Sequence, residues 1–181
     1  MRLTTGARLG PYHVLELLGV GGMGEVYKAQ DVRLDRTVAI KVLSREFAGD
    51  RNRRERFERE ARAVAALNHP NICDLHDVGE APDPEAPDSH AASIPFLVME
   101  YLEGQTLADR LVRGALPLHE GLRYAIELAS ALDHAHRQGL VHRDLKPGNV
   151  MLTGEAAKLL DFGLSKLQPA RDVISLPTIS S

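Results

Sequence analysis

The chain has 181 residues, with 22 Lys and Arg against 25 Asp and Glu, so its formal net charge is −3. Charged residues make 26% and apolar residues 44%, ordinary for a globular protein of one domain or of two small lobes sharing a site. These figures exclude a whole-chain basic footprint for nucleic acid, a disulfide framework (Cys73 is the one cysteine) and a bilayer span, the longest apolar run being 94–99.

Met1 to Thr5 lacks the apolar stretch of a signal peptide, and a lone cysteine suits a reducing compartment, so the expected location is the cytoplasm. Tyr12 to Leu18 reads as a strand that leads into Gly19-Val20-Gly21-Gly22-Met23-Gly24. Glu25 to Ala29 and Thr37 to Leu43 read as the next two strands, with a polar turn at Leu34 to Arg36. Arg51 to Leu67 has helical period, with Phe57, Ala61, Val64 and Ala65 on one face, and His69-Pro70-Asn71 ends it. Two more strands are expected at Ile72 to Val78 and Pro95 to Tyr101. The Pro-, Asp- and Ala-rich stretch from Glu80 to Ser93 forms a surface loop between them.

Beyond Gly104 the pattern turns helical. Thr106-x-x-Asp109 can cap a short helix. A longer helix from about Leu118 to His136 offers Leu122, Ala125, Ile126, Ala129 and Leu132 as its buried stripe, and Gly139 stops it. Val141 to Asn149 is rich in turn residues and charges. Val150 to Leu152 and Ala157 to Leu160 read as strands joined at Thr153 to Ala156, and Gln168 to Ser181 reads as a mobile tail.

Three features carry chemistry. The glycines at 19, 21 and 24 are followed by a strand-like segment rather than a helix start. They therefore suit a hairpin whose backbone approaches phosphates more than a dinucleotide fold, with a plain glycine turn as the bland alternative. Lys41 sits in the apolar strand Val38-Ala39-Ile40-Lys41-Val42, and Glu60 at the margin of an apolar helix stripe. Each is a misplaced charge that the other would satisfy, unless both face solvent. Finally, pairing Leu152 with Ala157 would bring Asn149 opposite the neighbour of Asp161. That joins an amide oxygen and a carboxylate suited to Mg²⁺, with Asp144 and Lys146 on the same loop.

Taken together, Gly19-x-Gly21-x-x-Gly24-x-Val26, Val38-Ala39-Ile40-Lys41, Glu60, the HRDLKPGN run at 142–149 and Asp161-Phe162-Gly163 resemble the protein-kinase signature set in order. With GGMGEVY in its glycine loop, the chain is most similar to the eukaryotic-like Ser/Thr kinases of bacteria over residues 8–181. The resemblance implies an α+β, bilobal kinase-like fold. Residues 1–103 would be an antiparallel N-lobe with one main helix and a hinge near 100–103, and 104–181 an incomplete helical C-lobe. It implies ATP and Mg²⁺ as cofactors and transfer of the γ-phosphoryl group to Ser or Thr of a protein substrate. Gly19, Val20, Gly21, Gly22, Met23 and Gly24 would cover the phosphates, and Lys41 would hold them while paired with Glu60. Val26, Ala39 and Met151 would sandwich adenine, with Met99 guarding the back pocket and Glu100 to Leu102 forming the hinge. Asp144 would accept the substrate's proton, Lys146 would neutralise the phosphoryl group, and Asn149 and Asp161 would hold the metal.

The sequence stops at Ser181 without an Ala-Pro-Glu motif, so the expectation is a fragment that binds Mg-ATP weakly and transfers phosphate poorly. The alternative function is a nucleotide-binding but inactive regulatory or vestigial module. An antibiotic-phosphorylating kinase is disfavoured by the loop sequence. Neither nucleic acid nor a membrane segment within the chain is expected as a partner; oligomeric state and any anchor outside the chain stay open. Thr178 is the expected phosphosite, positioned to pair with Arg143. The histidines lack metal spacing, Cys73 reads as inert core, and the Arg/Glu-rich helix reads as a solvated face.

Overall fold

Ladder pairing in the amino half follows the alternation of apolar and polar residues. The computed structural model describes residues 2–21, 24–43, 51–82, 93–154 and 156–162. Strands β1 (Arg8–Leu9), β2 (Tyr12–Gly21), β3 (Gly24–Asp31), β4 (Arg36–Leu43), β5 (Leu75–Pro82) and β6 (Ser93–Glu100) form an antiparallel sheet in the order β1-β2-β3-β4-β6-β5. β2 runs through to Gly21, further than the apolar pattern shows, because ladder hydrogen bonds need no side chains. β5 starts at Leu75, not Ile72, and continues to Pro82 within the expected loop; 83–92 lie outside the described residues.

β4 is covered on both faces. Val38, Ile40 and Val42 pack with Tyr12, Tyr27 and Phe96 in one cluster, whereas Leu43 joins a second cluster with Phe57, Ala61 and Val64 of helix α1 (Arg51–Ala65). Burying each such large side chain contributes roughly 1.5–3 kcal/mol. The apolar face expected of α1 is the one that packs, except that Ala65 is exposed. Its outer face carries the Arg62–Glu58 pair at 3.2 Å, a solvated helix face as expected; the side chains of 51–54 and 56 lie outside the described residues.

A second, smaller sheet of β7 (Gln105–Thr106), β8 (Val150–Leu152) and β9 (Ala157–Leu159) follows, in that order. Helix α2 (Leu107–Val112) is capped as its sequence predicts: the Asp109 N–H donates to Thr106 Oγ1 at 3.0 Å. Helix α3 (Leu118–Arg137) ends with Leu140 N donating to the Ala135 carbonyl and Gly139 N to that of His136, both at 2.9 Å, and Gly139 is at φ +74°.

The buried stripe of α3 is not the expected one. Leu122 and Ile126 are 55% and 70% exposed, and Ala125 and Ala129 are also exposed; of that set only Leu132 is partly covered. The helix instead packs through Ala131 and Ala135, flanked by the half-buried Tyr124 and Leu128. Two alanines let its backbone come close to β9, and close approach outweighs the larger aliphatics on the other face. No helix among the described residues is long and apolar enough to cross a membrane.

Candidate functional site

Antiparallel register decides which side chains meet between the sheets. Val26 pairs with Lys41, and Ala39 with Met99, which sets all four on one face of the large sheet. Beneath that face opens a cleft of about 480 Å³, lined by Gly19, Val20, Gly21, Val26, Ala39, Met99, Glu100, Leu102, Asn149, Met151 and Asp161. Eleven residues expected from the sequence thus share one cavity; Gly22 and Met23 lie outside the described residues.

The glycines divide into two kinds. A Cβ on Gly19 or Gly21 would meet no atom within 4 Å, so nothing in the fold itself requires glycine there. Gly24 has φ +140°, and a Cβ would run into the Val42 carbonyl, so its role is met by the hairpin alone.

Lys41 is 7% exposed and needs an anion, as its strand position predicts. The anion is not Glu60. Lys41 Nζ lies 2.7 Å from Asp161 Oδ2, and Glu60 Oε1 lies 3.9 Å from Arg143 Nη1. The expected Lys41–Glu60 pair is therefore corrected. Two carboxylates can serve one ammonium, and Asp161, beyond the end of β9, takes it while Arg143 compensates Glu60. Arg143 and Asp161 both have positive φ, +61° and +50°, a strain of about 1–3 kcal/mol each.

The loop before β8 is tied internally. Leu152 pairs with Ala157 and the Leu160 N–H donates to the Asn149 carbonyl at 2.9 Å, so Asn149 does stand opposite the neighbour of Asp161. Asn149 Nδ2 donates to the Asp144 carbonyl at 2.9 Å and to Asp144 Oδ2 at 3.0 Å. Both bonds use the amide nitrogen, which leaves Oδ1 as an acceptor for a hard cation. Lys146 Nζ is 2.8 Å from Asp144 Oδ2. Underneath, the His142 ring, 2% exposed, reaches the Leu160 carbonyl at 2.8 Å and lies 4.8 Å from the Phe162 ring. Part of the loop's support is thus local. Gly163 and Thr178 lie outside the described residues.

Among the lining groups that sequence reasoning missed are Leu18, the Thr106–Asp109 cap and Cys73. The cap motif and the apolar residue just before the glycines were visible signals; Cys73 gave none. Burial, and then the Glu100 charge, push its thiol up to about 12, so it is unreactive as expected although it borders the cleft. Also unforeseen is the grip of Glu100 on Lys158, whose Nζ is 2.7 Å from both carboxylate oxygens.

Residues 12–176 match the family model of the protein kinase domain. The chain is 44% identical over 160 residues to a probable serine/threonine-protein kinase PknB of Bifidobacterium longum, covering 87% of this chain and 23% of the relative. It is 41% identical over 167 residues to the serine/threonine-protein kinase PknB of Mycobacterium tuberculosis, covering 91% and 26% respectively. It therefore spans about a quarter of the length of these relatives. Among solved structures, the M. tuberculosis PknI kinase domain matches with TM-score 0.76 and 34% identity, over 91% of this chain and 63% of that one.

Proposed function

The chain belongs to the protein kinase family, and from that premise we propose that it carries the nucleotide site and catalytic loop of a Ser/Thr protein kinase. Its fold is that of the family: an antiparallel sheet lobe with one main helix, joined to part of a helical lobe. We take the lobe boundary to lie between Glu103 and Gly104. A side chain at Gly104 (φ +157°) would strike the Leu152 carbonyl, so the second lobe begins with bare backbone laid against its own strand β8.

One observation carries the reading. Asp161 and Asn149 line a cleft bounded by Gly19 to Gly21 and by Met99 to Leu102, and each is tied to a further charged group, Asp161 to Lys41 at 2.7 Å and Asn149 to Asp144 at 3.0 Å. In this reading the backbone of 100–102 receives the adenine base between Val26, Ala39 and Met151. The open space at Gly19 and Gly21 admits the phosphates, and Lys41 exchanges Asp161 for them. Asp161 and Asn149 Oδ1 fit a divalent cation, whose chemistry would be to neutralise phosphate oxygens. Asp144 accepts the proton of a Ser or Thr hydroxyl as its oxygen bonds to the γ-phosphorus and ADP leaves, with Lys146 supplying positive charge beside it. ATP and a protein bearing Ser or Thr are the proposed substrates, and the cytoplasmic side the proposed place of action.

A second reading, binding without transfer, is favoured by the engagement of Glu60 with Arg143. Calorimetry with Mg-ATP and transfer of labelled γ-phosphate to a Ser/Thr peptide library decide between them. Binding that is abolished in Lys41→Met, with transfer abolished in Asp144→Asn at retained binding, is the expected result. Binding with no transfer selects the second reading, and no Mg-ATP binding overturns both.

A further inference from the structure

Glu100 is the last residue of β6, where the large sheet hands over to the segment that leads into β7. Its backbone is fixed from one side: the Glu100 N–H donates to the Asp74 carbonyl at 2.9 Å, and Cys73 Sγ lies 3.6 Å from the Glu100 carbonyl. Its carboxylate accepts from the Asp74 N–H at 3.4 Å and is gripped from the other sheet. Lys158 Nζ sits 2.7 Å from both oxygens, with side-chain exposures of 19% for Lys158 and 28% for Glu100. Among the described residues this is the only ion pair either group makes. An ammonium so shielded, and held by both oxygens, resists displacement by water.

Lys158 is the middle residue of β9, and the chain continues from it through Leu160 to Asp161. The same stretch is pinned by Cys73 N donating to the Leu159 carbonyl and Leu159 N to the Asn71 carbonyl, both at 2.9 Å. The ion pair adds the hinge itself to this seam. One end of the tie is therefore the backbone assigned to the base, and the other is the strand that delivers Asp161 to Lys41.

We propose that Glu100 and Lys158 are positioning residues that set the span between the hinge and Asp161, and hence the fit of a ligand that must reach both. The proposal rests on the nucleotide reading above and deepens it. A ligand that engages only the hinge, such as adenosine, does not sense the span. One that carries phosphates and a cation to Asp161 does.

The test compares the unaltered chain with Lys158→Met, Glu100→Gln, their double variant and the conservative Lys158→Arg, with Glu100→Asp as a milder change. Mg-ATP and adenosine affinities are measured for each, together with amide hydrogen exchange across 98–104 and 157–161 without ligand. Each single loss is expected to weaken Mg-ATP about five- to tenfold, with adenosine staying within twofold in Lys158→Met, and Lys158→Arg to stay near the unaltered value. The double variant should be no worse than either single one. Exchange should rise in both segments together. Equal weakening of adenosine and Mg-ATP, additive losses, or unchanged exchange would overturn the proposal. Should the unaltered chain bind no Mg-ATP, the nucleotide reading fails; joint exchange in the two segments still decides whether the latch exists.

Discussion

Lys41 directs its charge to Asp161, 2.7 Å away, and leaves Glu60 to Arg143. The two groups neutralise each other inside the cleft, so removing one strands the other. Lys41→Met and Asp161→Asn should each destabilise the fold by about 1–3 kcal/mol, with the double variant recovering a good part of the loss. A double-mutant cycle by urea unfolding measures the coupling. Strictly additive losses would show that the pair is incidental.

The glycines should separate by experiment. Gly24→Ala forces a Cβ into the Val42 carbonyl at φ +140°, and should cost roughly 1–3 kcal/mol of stability. Gly21→Ala has open space and should change stability by less than about 0.5 kcal/mol, yet weaken Mg-ATP. Thermal unfolding and nucleotide titration of the two variants read this directly. Equal stability losses would remove the distinction.

His69 reaches Ser130 Oγ at 3.1 Å, accepts from Asn71 N and lies tilted against His134, ring centroids 5.3 Å apart. Burial, and then the neighbouring His134, hold its affinity for a proton below the usual value. The unfolded chain therefore binds that proton more readily, so the stability contributed is present above about pH 6.5 and lost as pH falls below it. Unfolding midpoints measured from pH 7.5 to 5 should decline, and His69→Gln should flatten the decline. An unchanged slope in His69→Gln would count against this account.

Cys73 should resist iodoacetamide at pH 8 in the folded chain and react once the chain is unfolded, because burial keeps its thiol protonated. Its raised pKa also has a stability sign. The contribution is full below the ordinary thiol range near 8.5 and is lost as pH rises from there toward about 12. Rapid alkylation of the native protein, followed by mass spectrometry, would contradict the burial.

Much of the site could be read from spacing because local geometry determines it. The Leu152–Ala157 register needs only a short turn between two short strands, and it brings Asn149 opposite Leu160 as expected. The need of Lys41 for an anion was equally legible from an apolar strand. Which anion was not, since only tertiary packing brings Asp161 to Lys41 and Glu60 to Arg143. The face of α3 was misread for a related reason. Periodicity favours the larger aliphatics Leu122 and Ile126, but contact with β9 is set by the small Ala131 and Ala135. The pairing of Glu100 with Lys158 left no trace in the sequence, the two being ordinary charges far apart along the chain.

The seam at Asn71 to Cys73 also orders events in time. The large sheet is built largely from neighbouring strands and can assemble while the chain is still being made. Asn71 Nδ2, however, donates to the Ala157 carbonyl at 2.9 Å across 86 residues, and the Cys73 N–H waits for Leu159. Until β9 leaves the ribosome, these donors beside the hinge have no strand to receive them. Until then the growing chain carries an unpaired edge beside the cleft, open to pairing with another strand.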